Sequence, residues 1–259
     1  MIPSLELVAS NVVNRQSPHR TIYEQSYVRS MFDSIAGRYD LLNHLLSAGL
    51  DIVWRRKTIE LILPFGPKNI LDVATGTGDL ALAAMRLNPE SITGIDLSPE
   101  MLHIAQDKID ARDFTTLISL EEGSAERLRF APDSFDAVTV GFGVRNFSDL
   151  HLGLAEILRV LRPGGVAAML EFSQPTATPL RQIYRFYAGK ILPVLGGVIS
   201  GNSEAYSYLP KTVSEFPFGT DFLAVLDSVG FTRTSHHPLS AGIVAIYLGV
   251  KGQEGRNRQ

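Results

Sequence analysis

Asn69-Ile-Leu-Asp-Val-Ala-Thr-Gly-Thr-Gly-Asp79, answered by Ile92-Thr-Gly-Ile-Asp96, decides the fold of this 259-residue chain. Ile70 to Val73 is a short apolar run with β propensity, and it ends in a glycine-rich turn. Leu80, Ala81, Ala83, Ala84 and Leu87 follow at helical spacing, and a second apolar run closes on an acid. The pattern predicts a βαβ unit with an open loop at the carboxyl end of its first strand. Doubly wound sheets bind their ligands there, because the strand order reverses and leaves a crevice.

Gly76 and Gly78 let the backbone turn tightly and approach a ligand without an intervening Cβ. Asp96-Leu97 lies about twenty residues further on, where a carboxylate can accept both hydroxyls of a ribose. Nicotinamide and flavin enzymes carry the same glycine spacing. The discriminating residue is Asp72, which precedes the loop. A carboxylate there repels a pyrophosphate and suits ammonium and sulfonium charges. The expected ligand is therefore S-adenosylmethionine rather than a dinucleotide. Asp72 also has a plain structural reading, as an acid capping nearby backbone amides.

Composition narrows the class. A hydrophobic content of 45% supplies a full core, and a net charge of −3 argues against a general nucleic-acid binder. The absence of cysteine excludes disulfides, thiolate zinc sites and a cysteine nucleophile. No metal is expected. The most apolar later stretch, Ile191 to Ile199, is about half the length of a spanning helix and contains Pro and Gly. The expectation is a cytoplasmic protein, at most peripheral on the inner face of a membrane.

Outward from the loop, residues 1–22 lack a period and are expected to be disordered. Tyr27, Met31 and Ile35 recur at fours with Val28 and Phe32 beside them, an amphipathic helix that Gly37 should stop. A second helix runs to about Leu63, and residues 23–66 together read as a helical lid over a core at 67–252. Ser98-Pro-Glu-Met opens a helix with a serine N-cap and Pro in its first position. Thr116 to Glu122 reads as the third strand, with Ser124-Ala125 at its rim. Phe135 to Val140 reads as a buried strand, with Gly141-Phe-Gly143-Val-Arg145-Asn146 at its end. Asp149 to Leu161 reads as a helix burying Leu152, Ala155, Leu158 and Leu161, and Pro163-Gly164-Gly165 should end it. Residues 176–219 break the alternation and read as a helical insertion. Leu180, Ile183, Tyr184, Tyr187 and Ile191 share a face that either packs on the core or covers an apolar substrate beside anionic lipid. A hairpin, Phe231 to His237 with Gly242 to Val250, closes the sheet, and the tail at 253–259 is polar.

Three stretches together resemble the ubiquinone/menaquinone-biosynthesis C-methyltransferase family over roughly Met31 to Leu248. They are Tyr39-Asp40-x-x-Asn43-x-x-Leu46-Ser47 with Trp54-Arg55, Gly141-Phe-Gly-Val-Arg145-Asn146, and Arg159-Val-Leu-Arg-Pro-Gly-Gly165 running into Glu171-Phe-Ser173. One departure is visible: Asp51 stands where the family usually has a histidine, three residues before the Trp, so this position is expected only to pack or cap. The resemblance implies a Rossmann-like methyltransferase fold, mostly parallel with a C-terminal antiparallel hairpin. It implies S-adenosyl-L-methionine contacts at Thr77, Asp96, Ser124, Ala125 and, through backbone, Gly141. It further implies C-methylation of a prenylated quinol, with transient membrane contact and an open oligomeric state. Substrates in the family are demethylmenaquinol, a ubiquinone precursor or the phylloquinone precursor.

Such chemistry needs alignment of the methyl with a ring carbon, a route for the quinol proton and a partner for the developing oxyanion. Arg145 is the candidate oxyanion partner because it stays protonated. Asn146 is placed to hold the other oxygen or a water. Tyr39, Asp40, Glu171, His236, His237 and a water relay all remain open as the base.

Overall fold

The structure, a computed structural model, describes residues 24–175 and 203–253, with positions 178 and 182. The expectations for the two termini, and for the face formed by Leu180 to Ile191, fall outside these residues.

Five parallel strands form the framework: β1 (Asn69–Val73), β2 (Ser91–Asp96), β3 (Ile118–Glu122), β4 (Phe135–Gly141) and β5 (Leu161–Phe172). They are extended by β6 (Phe231–Leu239) and β7 (Val244–Lys251) in the order β3-β2-β1-β4-β5-β7-β6. The predicted hairpin forms, but its second strand is the one that pairs antiparallel with β5. The helices are α1 (Gln25–Leu46), α2 (Leu50–Ile62), α3 (Asp79–Ala84), α4 (Pro99–Asp110), α5 (Leu150–Val160), α6 (Ser203–Glu215) and α7 (Thr220–Val229).

Both faces of the sheet are covered, which is why its central strands are near-continuous apolar runs. Leu71, Val138 and Val140 pack on one side with Leu154, Ile157 and Phe222. Ile70, Ile92 and Ala137 pack on the other with Ile59, Ile62 and Ala81. Register sets Val73 opposite both Ile95 and Val140, and Gly141 opposite Leu170. The carboxyl ends of β1, β2, β4 and β5 therefore share one edge, and the order reverses between β1 and β4.

Three expectations are corrected. Gly37 does not stop α1, which continues to Leu46. An isolated glycine costs a helix only about 1 kcal/mol, and buried Met31, Ile35 and Leu42 hold both sides of it. The chain turns instead at Gly49, where φ is 77°. In α5 the buried side chains are Leu150, Leu154, Ile157 and Val160, while Leu152 and Ala155 are exposed. His151, Glu156 and Arg159 lie on the opposite side, so the apolar stripe at helical spacing marks Leu150, Leu154, Ile157 and Val160 as the inward face. Pro163 and Gly164 do not cap it: the backbone is already extended at Leu161, which pairs with Phe135, and the Pro-Gly pair sits where that register shifts.

Candidate active site

A cleft open to solvent lies at the carboxyl edge where the strand order reverses. Ala74 and Gly76 line it after β1, Asp96, Leu97 and Ser98 after β2, and Gly123, Ala125 and Glu126 after β3. Gly141, Phe142, Gly143 and Asn146 line it after β4. Val28, Arg29, Phe32 and Tyr39 of α1 form the opposite wall. Two strained backbone positions lie on this rim. Ala74 (φ 52°) and Phe142 (φ 58°), one residue past β1 and β4, both take left-handed conformations.

Asp96 is fixed by the loop it faces. Its Oδ2 accepts from the Gly76 amide at 2.7 Å and its Oδ1 from the Ser98 amide at 2.9 Å. Burial pushes this carboxyl above its ordinary range, while those amides pull it back. Gly76 and Gly78 both have positive φ, 56° and 80°. A Cβ on Gly78 would sit a tight 3.1 Å from the Ala105 Cβ, and its positive φ adds strain for any other residue.

Helix α1 is clamped across the mouth by polar contacts to each neighbouring strand end. Ser98 caps α4 through the Met101 amide, as its sequence predicts, and its hydroxyl also donates to Asp33 at 2.5 Å. Arg29 pairs with Glu122 at 2.7 Å, and Gln25 donates to Ser124 and Glu126. The Thr77 hydroxyl donates to Asp40 at 2.6 Å, and Lys108 lies 2.5 Å from Asp40 and 2.7 Å from Asp79.

Tyr39 reaches the cleft beside Asn146. Burial raises its phenol above the ordinary value, and the nearby Arg145 guanidinium partly offsets this. The hydroxyl, which shares a hydrogen bond with the Asn43 side chain, is therefore neutral near pH 7. Asn146 is oriented by the Tyr208 hydroxyl, which donates to its Oδ1 at 3.0 Å.

This geometry sits in a chain whose relatives are characterised. A family model described as the ubiE/COQ5 methyltransferase family matches residues 20–251. The chain belongs to that family. It is 44% identical over 226 residues to a demethylmenaquinone methyltransferase of Porphyromonas gingivalis, covering 86% of this chain and 92% of that one. It is 46% identical over 226 residues to a ubiquinone/menaquinone biosynthesis C-methyltransferase UbiE of Geotalea daltonii, covering 86% and 96%. A solved SAM-dependent methyltransferase from Thermotoga maritima superposes with a TM-score of 0.60 at 16% identity, covering 86% and 99%, which speaks to fold alone.

The cofactor of this methyltransferase is S-adenosyl-L-methionine, and the cleft fits it. A half-buried carboxylate at the β2 tip can receive ribose hydroxyls, and the glycine loop leaves room beside it. The neutral Ala125 and Gly123 wall can take a flat base.

Not every residue predicted for the site faces the cleft. Asp72 is 1% exposed beneath the loop, where Thr75 and Thr139 donate to its two oxygens at 2.6 and 2.5 Å. Its expected contact with a cationic ligand is corrected to an internal brace. Thr77 and Asp40 are joined to each other, and Ser124 donates to Glu126 at 2.5 Å. Thr77 through Asp40, and Ser124 and Glu126 through Gln25, couple α1 to the rim. Arg145 is corrected as well: its Nη1 lies 2.8 Å from the fully buried Glu171 and also donates to the Phe142 carbonyl. That pair removes Glu171 from the candidate bases. His236 stacks on Tyr247 with centroids 5.0 Å apart, and neither it nor His237, both on the outer strand β6, lines the cleft. Asp51 is more than a cap: it is 2% exposed and accepts from Ser47 and Arg55.

Sequence reasoning missed Phe142 and Tyr208 as site residues. Phe142 lay inside the quoted Gly141–Asn146 motif, but nothing local marked its left-handed backbone. Tyr208 comes from the irregular insertion, whose pattern carried no signal for it.

Proposed function

We propose that this methyltransferase transfers a methyl group to a ring carbon of a prenylated quinol, with demethylmenaquinol giving menaquinol as the favoured reaction. The observation that carries the reading is the pairing of close relatives named for quinone methylation with the composition of the cleft. Its mouth is apolar at Val28, Phe32 and Phe142, and Tyr39 and Asn146 stand together as hydrogen-bonding groups.

S-adenosylmethionine supplies a methyl already activated on a sulfonium, so the protein's part is alignment and control of the quinol oxygens. The ring carbon would take the methyl of the bound cofactor as the carbon–sulfur bond breaks, and the ring proton would pass to water in the open cleft, restoring aromaticity. Tyr39 donates to the oxygen whose charge feeds the attacking carbon, and Asn146 holds the neighbouring oxygen or a water. The oxyanion role expected for Arg145 thus moves to Tyr39, with Arg145 biasing the phenol from behind. The α1 wall acts as a lid that keeps bulk water from the transfer.

A ubiquinone precursor is the second reading, supported by the dual naming of the Geotalea relative. Family membership sets aside a nicotinamide-dependent oxidoreductase. Purified protein with labelled S-adenosylmethionine, tested against detergent-dispersed demethylmenaquinol and the demethylated ubiquinone precursor, decides the matter. Label in the naphthoquinol product supports the favoured reading, and label only in the benzoquinol product replaces it.

A further inference from the structure

Tyr208 stands behind the cleft wall rather than in it, yet its hydroxyl ends on a residue of that wall. It lies on α6 and is 4% exposed, packed with Met31 and Ile35 of α1 and Met101 of α4. Its ring is 6.2 Å from that of Tyr27. A phenol closed off in this way needs a polar partner. It donates to Asn146 Oδ1 at 3.0 Å, across 62 positions of the chain. Both ends of the bond are held by separate parts of the fold. Behind Tyr208, the Thr212 hydroxyl donates to its carbonyl at 3.2 Å, and Phe216, just beyond α6, is buried in the same cluster as Val144. Beside Asn146, the Arg145 amide donates to Glu171, which ties the turn to β5.

The direction of this bond decides what Asn146 offers to the cleft. A side-chain amide carries one accepting oxygen and one donating NH2 on the same carbon. Tyr208 engages the oxygen and so fixes which way round the amide sits. The nitrogen is neither buried nor bonded to any of the described residues, and the side chain lines the cleft. A quinol oxygen gains negative charge as its ring carbon becomes nucleophilic. An NH2 facing that oxygen stabilises the charge, whereas the carbonyl of a flipped amide would repel it. The two orientations have nearly the same shape, so packing alone does not choose between them. The hydroxyl of Tyr208 does.

We propose that Tyr208 is a positioning residue for the methyl transfer, holding the Asn146 amide so that it meets a quinol oxygen as a hydrogen-bond donor. This role rests on the quinol reading. Wild type, Tyr208→Phe, Asn146→Ala and the double variant would be assayed with labelled S-adenosylmethionine against detergent-dispersed demethylmenaquinol and the demethylated ubiquinone precursor. Tyr208→Phe keeps the packed ring and loses only the hydroxyl. Melting temperature and calorimetric S-adenosylmethionine affinity would be measured on the same four proteins.

Tyr208→Phe should lower kcat roughly 3–10-fold, the effect of one lost hydrogen bond on the hold over the amide. The KM for the quinol should change little, the pattern of an interaction made in the transition state. S-adenosylmethionine affinity should stay as in wild type. Asn146→Ala should lower kcat by about 10²–10³, as loss of an oxyanion donor does. In that background Tyr208→Phe should cost nothing further, because no amide is left to turn. Equal losses from Tyr208→Phe in both backgrounds overturn the proposal, as does wild-type kcat in either single variant. A fall in kcat matched by weaker cofactor binding and a lower melting temperature assigns Tyr208 to packing alone and also overturns it. A wild-type protein that methylates neither quinol removes the quinol reading, and this role with it.

Discussion

Arg145 Nη1 lies 2.8 Å from Glu171 Oε1, with both side chains nearly closed to solvent. The Arg145 amide also donates to Glu171 at 3.2 Å, so the pair ties the turn Val144–Asn146 to the end of β5. Removing one partner of a buried pair strands the other charge, which typically costs 3–5 kcal/mol. Glu171→Ala should therefore lower unfolding stability by roughly 3–5 kcal/mol in urea titrations. Arg145→Met combined with Glu171→Leu should recover most of that loss. A Glu171→Ala variant as stable as wild type would show that the guanidinium finds another partner.

Tyr39 is the ionisable hydroxyl that reaches the cleft from α1. If it donates to the quinol oxygen in the transition state, Tyr39→Phe should lower kcat by about 10²–10⁴. S-adenosylmethionine affinity should not change, because the ring still packs. Turnover near wild type would remove Tyr39 from the reaction.

Asp96 has each carboxylate oxygen on one backbone amide and still lines the cleft. Asp96→Asn keeps its shape but loses a charged acceptor worth about 1.5–3 kcal/mol to a hydrogen-bonding ligand. Calorimetry should record S-adenosylmethionine binding about 10–100-fold weaker. Unaltered affinity would mean that the ribose lies elsewhere.

Asp72 gives a prediction in pH. Burial pushes its carboxyl up to about 6, against the two threonine hydroxyls that pull it down. The native state therefore holds this proton more tightly than the unfolded chain. Its contribution to stability is greatest below about pH 4 and falls as pH rises through the interval to 6. Asp72→Asn cannot titrate, and Thr75 and Thr139 can rotate to satisfy the amide. The stability difference between variant and wild type should move in the variant's favour by about 2–3 kcal/mol between pH 4 and 7. Parallel pH profiles for the two proteins would contradict a raised Asp72.

Much of the framework was legible because it depends on neighbours along the chain. Ile70 to Val73, the glycine turn and the Ala-rich helix after it read as βαβ from local periodicity alone. Ser98 and Pro99 announced the start of α4, and the helix begins there. Strand ends supply ligand rims, so Gly76, Asp96, Leu97, Ala125, Gly141 and Asn146 could be named without coordinates, and all line the cleft.

What the sequence could not determine is which polar groups are left over once the chain has closed on itself. Thr77 meets Asp40 across 37 positions, Thr139 meets Asp72 across 67, and Glu171 meets Arg145 across 26. Each contact takes a residue with the right chemistry for the site and engages it elsewhere, because a buried charge or hydroxyl must find a partner. The same closure set the order β5-β7-β6, where several pairings suit the local pattern equally. The Asn69–Asp96 stretch thus determined by itself which edge of the sheet holds the cleft. Long-range pairing decided that Asp72 braces the loop from beneath, and that Tyr39 stands beside Asn146 at the cleft.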